Sequence, residues 1–405
     1  MMQQFLESTV SRLQSELEGS PRPQGRKRFA LEVARLGARL FSKDEKVAWC
    51  GLTVPFDLLS TMGVTSCFIE FVGSILASSQ MASPFLDEAE HMGCALDTCA
   101  YHRAVLGAAH KGMIPTPDFL IASSAPCSGG VAAMETLARG FKRDLFVLHV
   151  PQSNDEPAVR YLADQLREME KFISDHTGKS LDRDRLRKAI VRTNEARGLL
   201  NEVFALAQQV PSPVRNRDLG NFGVTMSLLF GSQAAIEIAQ AYRDEFAERI
   251  RNKNASLPEN RIRLLWIQNR IQFKTPLIPW LEEKFQTSIV IDELNSITWE
   301  AIDPEDPYLG LARRAISNPF NGPIEYRIQN LKKLAKKYQI HGAINPCHWG
   351  CRQGTGARGL IESGLKEIGV PVLNLEIDCI DSRNFAEGQV RTRLEAFLEM
   401  IQCTI

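Results

Sequence analysis

Neither sign of charge is in excess: 48 lysines and arginines meet 48 aspartates and glutamates across 405 residues. Bulk charge therefore advertises neither nucleic acid nor an anionic membrane surface as a partner. Long hydrophobic runs are missing as well, and none reaches the length of a membrane span. The opening Met-Met-Gln-Gln-Phe-Leu-Glu lacks the basic, apolar and small-residue stages of a secretion signal. A soluble, cytoplasmic protein is expected. No Gly-x4-Gly-Lys-Ser/Thr occurs, which removes the P-loop. Nor is there a Cys-x2-Cys, which removes the thioredoxin motif. The paired knuckles of a structural zinc site are absent too, although Cys347-x3-Cys351 comes close.

What is present is nine cysteines, too few for a secreted disulfide scaffold of this length and odd in number. In a reducing compartment cysteine serves mostly as a small core residue, and Cys403 near the end reads that way. Several others stand beside Pro or Gly where apolar runs stop. The richest stretch is Ile344-Asn-Pro-Cys347-His348-Trp349-Gly350-Cys351, followed by Arg352-Gln-Gly-Thr-Gly-Ala-Arg358-Gly. An apolar run at 341–344 reads as a strand that delivers two thiols, a histidine and a tryptophan into a glycine-rich loop. Leu360, Ile361, Leu365 and Ile368 then repeat at helical spacing, and a second apolar run fills 370–377. Strand, loop, helix and strand make half of a doubly wound sheet, which places ligands at the carboxyl ends of its strands.

Taken in order, residues 1–40 read as an N-terminal helical arm, two amphipathic helices split at 19–25. Strand-like runs at 47–50, 64–72, 119–123 and 144–150 alternate with helices, giving a first parallel α/β lobe over 41–155. Residues 156–255 are charged and poor in strands, a helical connector that ends in a polar linker at 252–260. Runs at 262–267, 288–291, 341–344 and 370–377 give a second lobe of similar plan over 256–405. The fold class expected is therefore α/β: two similar Rossmann-like lobes with parallel sheets, facing each other across a cleft.

Single thiols reach that cleft from both lobes: Cys50, Cys67, Cys99 and Cys127 from the first, Cys347 and Cys351 from the second. Lone thiols from separated loops suit an iron–sulfur cluster, in which each iron needs only one thiolate from the protein. Trp349 is expected to cover such a group. His348 has an ordinary pKa near working pH and is a candidate proton donor, or else a hydrogen-bonded loop histidine. The segment 352–359 has the form of an anion site at a helix start, and also that of a tight turn. Asp378, Asp381 and Arg383 read as a salt-bridged structural cluster.

Several motifs resemble one known family along most of the chain. They are Trp49-Cys50-Gly-Leu-Thr-Val-Pro55-Phe-Asp57, Cys99-Ala-Tyr-His-Arg103, Pro126-Cys127-Ser128, and Gly369-Val-Pro-Val-Leu373 behind the cysteine loop. The most specific is the tail Glu376-Ile-Asp378-Cys379-Ile-Asp381-Ser-Arg383 with Glu387-Gly-Gln-Val-Arg391-Thr-Arg393. The chain resembles the 2-hydroxyacyl-CoA dehydratase and benzoyl-CoA reductase family. The resemblance implies two-lobed subunits that carry an oxygen-sensitive iron–sulfur cluster, reduced by a separate ATP-hydrolysing iron–sulfur activase. ATP then belongs to that partner. The family's single 4Fe–4S cubane takes three cysteines, which map onto Cys99, Cys127 and Cys351; Cys351 is preferred to Cys347 for its distance to Gly369. The extra thiols Cys50, Cys67 and Cys347 resemble the double-cubane branch, homodimeric reductases of small molecules in which six cysteines hold an 8Fe–9S cluster. Cys94 is an alternative to Cys67, and Cys379 a further candidate. The rival is a single-cubane acyl-CoA dehydratase or reductase subunit, paired with a dissimilar subunit. A protein that stores electrons on a cluster without catalysis is the reading outside enzymes.

Overall fold

Eight short strands carry the fold of this computed structural model, which describes residues 2–20, 24–215, 218, 225–252 and 262–404. In the first lobe β1 (Lys46–Cys50), β2 (Val64–Phe68), β3 (Phe119–Ser123) and β4 (Leu145–Leu148) form a parallel sheet in the order β2-β1-β3-β4. In the second, β5 (Ile262–Trp266), β6 (Thr287–Asp292), β7 (Gly342–Pro346) and β8 (Val372–Leu375) repeat it as β6-β5-β7-β8. Every residue of β2, β3, β5, β6 and β7 is buried, as it must be where helices cover both faces of a parallel sheet. The identical order gives each lobe one switch point, between β1 and β3 and between β5 and β7, and crevices open at such points.

The run at 64–72 departs from expectation. β2 stops at Phe68, and the helix Ile69–Ser78 begins at once. An apolar run flanked by no turn residue does not distinguish a buried strand from a buried helix. The early turn brings Glu70 to the cleft, where an extended strand would have carried it away.

The helices Met2–Glu18 and Gly25–Leu40 pack together, and the second lies against the helix Gln233–Arg251. Gly25 is required at that crossing, since a Cβ would stand 2.5 Å from the Tyr242 ring. Between the lobes run Glu156–Thr177 and Arg183–Ala207, capped by Asp155 and Asp182 through the N–H groups of Ala158 and Arg185. The polar linker expected at 252–260 lies, Asn252 apart, outside the described residues.

Ion pairs close one lobe on the other. Asp57, fully buried behind β1, accepts two hydrogen bonds of 2.8 Å from Arg314 of the second lobe and one of 3.2 Å from Thr193 of the connector. Arg103, 2 % exposed, lies 3.5 Å from Asp381 and 2.6 Å from Glu90, and Arg383 pairs with both carboxylates. The cluster at 378–383 is thus salt-bridged as expected, and it ties the helix behind Cys99 to the end of β8.

Candidate metal centre between the lobes

Cys127 comes from the loop after β3, Cys351 from the loop after β7, and Cys99 from the loop before the helix Ala100–His110. Each of the three is the N-cap of a helical segment: Cys99 of Ala100–His110, Cys127 of Ser128–Phe141, Cys351 of the single turn Arg352–Thr355. First-turn N–H groups lie near two of these sulfurs, those of Tyr101 and His102 at Cys99 and those of Gly129 and Gly130 at Cys127, without the geometry of a side-chain cap hydrogen bond. Such groups favour the thiolate over the thiol.

Burial opposes them. It raises Cys99 well above an ordinary thiol, with the charge of Cys351 adding to the effect, and it lifts Cys127 to about 11. Thiols buried like Cys99 and Cys127 stay protonated unless a cationic group offsets their burial. All three line one cavity of about 150 Å³ together with Glu70, His102 and Gln268. Among the described residues no three His, Cys, Asp or Glu side chains converge on a single ion, as a tetrahedral zinc site requires. Thiols spread around a cavity match a group in which each thiolate meets its own iron. The donor set fits an iron–sulfur cluster held by Cys99, Cys127 and Cys351.

The loops could not approach so closely with larger residues. Gly350 has φ +73°, and a Cβ there would overlap the Cys99 nitrogen and stand 2.6 Å from the Asp97 carbonyl oxygen. Arg352 and Gln353 reach the other loop, the first donating to Ser128 Oγ at 3.4 Å and the second to the Pro126 carbonyl at 2.9 Å. Arg358 pairs with Glu376. Within the segment read as an anion site, Arg352 and Gln353 therefore tie the two lobes, while Arg358 pairs inside the second lobe.

His348 is fully buried and is held neutral, its pKa lowered to about 3 by burial and then by the charges of His102 and Arg103. Its Nδ1 accepts the Cys379 N–H at 3.0 Å, so the proton sits on Nε2, which faces Cys99 Sγ at 3.5 Å. Tyr101 packs edge-on against the ring, 5.3 Å between centroids. The geometry makes His348 a hydrogen-bond donor to a sulfur. Trp349 is 41 % exposed, so a large part of its ring faces solvent.

The remaining sequence candidates lie elsewhere. Cys50 ends β1 and Cys67 stands in β2; both are buried, with their thiols toward the carbonyls of Ala48 and Phe68 at 3.9 and 3.5 Å. Burial raises both, and the charge of Cys67 adds to the rise at Cys50. Cys347 is buried with its thiol toward the Asn345 carbonyl and Asn374 Oδ1, at 3.7 and 3.6 Å. None of the three lines the cavity. Cys94 is half-buried outside it, and Cys379 is buried behind His348 with its thiol toward the Asn269 carbonyl at 3.8 Å. Cys403 is exposed rather than in the core, because it is the C-cap just past the end of the helix Glu387–Gln402.

Sequence reasoning misses Glu70 and Gln268. Glu70 Oε1 meets His102 Nε2 at 3.3 Å, and its buried Oε2 has no partner. A lone carboxylate inside an apolar run is the available signal for Glu70.

A sequence model described as the D-component of 2-hydroxyglutaryl-CoA dehydratase matches residues 52–401. The chain belongs to that family. It is 23 % identical over 379 residues to the alpha subunit of (R)-phenyllactyl-CoA dehydratase from Clostridium sporogenes, covering 89 % of this chain and 90 % of that protein. A benzoyl-CoA reductase subunit of Thauera aromatica is 24 % identical over 78 % of this chain and 79 % of its own length. The alpha subunit of lactoyl-CoA dehydratase from Anaerotignum propionicum is 22 % identical over 90 % and 92 %. As a member of the dehydratase family whose relatives here are enzyme subunits, the protein is an enzyme component. The match begins at Leu52, just after the strand that carries Cys50, and takes in Cys99, Cys127 and Cys351.

Proposed function

We propose that the protein is the cluster-bearing subunit of a two-component enzyme. Cys99, Cys127 and Cys351 hold a 4Fe–4S cluster between the lobes, and an ATP-hydrolysing iron–sulfur activase supplies its electrons. The observation that carries this reading is the meeting of three thiols at helix N-cap positions, from two lobes, on one cavity. When bound, such a cluster supplies one-electron transfer and a Lewis-acidic iron beyond the three thiolates. The chain's own residues do the rest. His348 donates to Cys99, and Arg270 and Asp292, 2.8 Å apart, make a fixed charged wall. Glu70, oriented by His102, lines the cavity with a buried carboxylate oxygen that has no partner and can exchange a proton with a substrate bound there. The substrate class that the relatives suggest is an acyl-CoA thioester, dehydrated or reduced.

A second reading is the double-cubane reductase, a homodimer acting on a small molecule through Cys50, Cys67 and Cys347 as additional ligands. The closeness of Cys50 and Cys67, near enough that one thiolate's charge raises the other, favours it. It requires the Cys50 and Cys347 thiols to turn away from carbonyls within their own strands. Iron and sulfide analysis of anaerobically purified protein separates the two: about four irons per chain for one cubane, about eight for two. Zinc without iron would end both.

A further inference from the structure

Gln268, just past the end of β5, is at odds with its surroundings in two ways. Its φ is +66°, the left-handed region that a non-glycine residue enters at a cost. It is also 1 % exposed, with its Oε1 buried and unpartnered. Neither feature stabilises the chain, and strained, unsatisfied groups of this kind gather at functional sites.

The surrounding residues hold it there. The Gln268 backbone N–H donates to Glu293 Oε2 at 3.1 Å, and Glu293 is paired with buried Arg327 at 2.6 and 2.8 Å. Arg327 also donates to the Gln353 carbonyl at 2.5 Å, inside the turn that begins at Cys351. On that turn Gly354 leaves room for the amide, since a Cβ would stand 2.7 Å from Gln268 Nε2. Within this frame Gln268 Nε2 points at Cys351 Sγ, 3.7 Å away. A metal-bound thiolate has no proton to give and can only accept, which fixes the amide with its N–H toward sulfur.

We propose that Gln268 is a positioning residue for the metal centre, its side-chain N–H donating to the Cys351 thiolate and raising the reduction potential of the bound cluster. A donor at a ligand sulfur stabilises the more negative, reduced state, which is why hydrogen bonds to sulfur tune such centres. His348 does the same at Cys99, so the second lobe sets the potential of a group whose other ligands come from the first. The inference rests on the reading that Cys351 is a cluster ligand.

The test is an anaerobic redox titration of the reconstituted protein, followed by electron paramagnetic resonance, with Gln268→Gly and Gln268→Glu. Glycine accepts φ +66° without strain, so that variant folds; glutamate keeps the size and replaces the donor with a charged acceptor. Both should bind wild-type amounts of iron, with a lower potential in the glycine variant and a lower one still in the glutamate variant. A wild-type potential in Gln268→Gly overturns the inference and leaves the cluster assignment standing. Full iron content in Cys351→Ala would overturn the assignment itself, and this inference with it.

Discussion

Replacing Gly350 with alanine should loosen the centre without touching a thiol. Two costs follow from the structure. The backbone at φ +73° is one that an L side chain enters at about 1–2 kcal/mol. The new Cβ would also overlap the Cys99 nitrogen and press on Asp97 and Thr98, all backbone atoms that cannot rotate aside. Overpacking of that kind costs about 1–3 kcal/mol. Together they give about 2–5 kcal/mol, relieved only if the Cys351 loop withdraws from the first lobe. Withdrawal would separate Cys351 from Cys99 and lower iron binding. The assay is the urea midpoint of the metal-free protein, by circular dichroism, alongside iron per chain after anaerobic reconstitution. Gly359→Ala is the control: it lies in the helix Arg358–Lys366 with nothing within 4 Å of a new Cβ, and should stabilise slightly, by about 0.5–1 kcal/mol. A Gly350→Ala protein with wild-type stability and full iron would refute the close approach of the two loops.

Three further outcomes are expected. Cys127→Ala should lose most of the iron while exposed Cys403→Ala keeps all of it and shifts stability by less than about 0.5 kcal/mol, read by metal analysis and thermal unfolding. Arg314→Met leaves the Asp57 carboxylate buried with only neutral donors, Thr193 and the Leu58 N–H, and should destabilise by about 3–5 kcal/mol; a loss under ~1 kcal/mol would show that the pair does not clamp the lobes. Arg327→Met should cost a similar ~3–5 kcal/mol, because Glu293 stays buried, and should also slow cluster uptake, since the same guanidinium holds the turn behind Cys351.

Much of this architecture is legible in the residues. Apolar runs of four to eight residues mark seven strands to within a few positions, and two similar series imply two lobes. The helix at Ile69 is not legible, because buried helix and buried strand share one hydrophobic pattern there. At the centre, the sequence places six thiols at or near strand ends but not the way each turns. Side chains alternate along a strand, so one position decides between cavity and core. Cys127 and Cys351 sit past their strands, on helix caps, and face the cleft; Cys50 and Cys67 belong to theirs and face inward. Gln268 stays hidden for another reason: nothing marks it in Ile267-Gln-Asn-Arg-Ile-Gln272, and its role arises from a positive φ and a convergence with Cys351 across 83 residues.

The most direct measurement is an anomalous difference map at the iron edge from crystals grown without oxygen. The account predicts iron in the cavity bounded by Cys99, Cys127 and Cys351, with His348 Nε2 against the Cys99 sulfur. Iron bound elsewhere, or those three sulfurs facing an iron-free cavity in an active preparation, would contradict it.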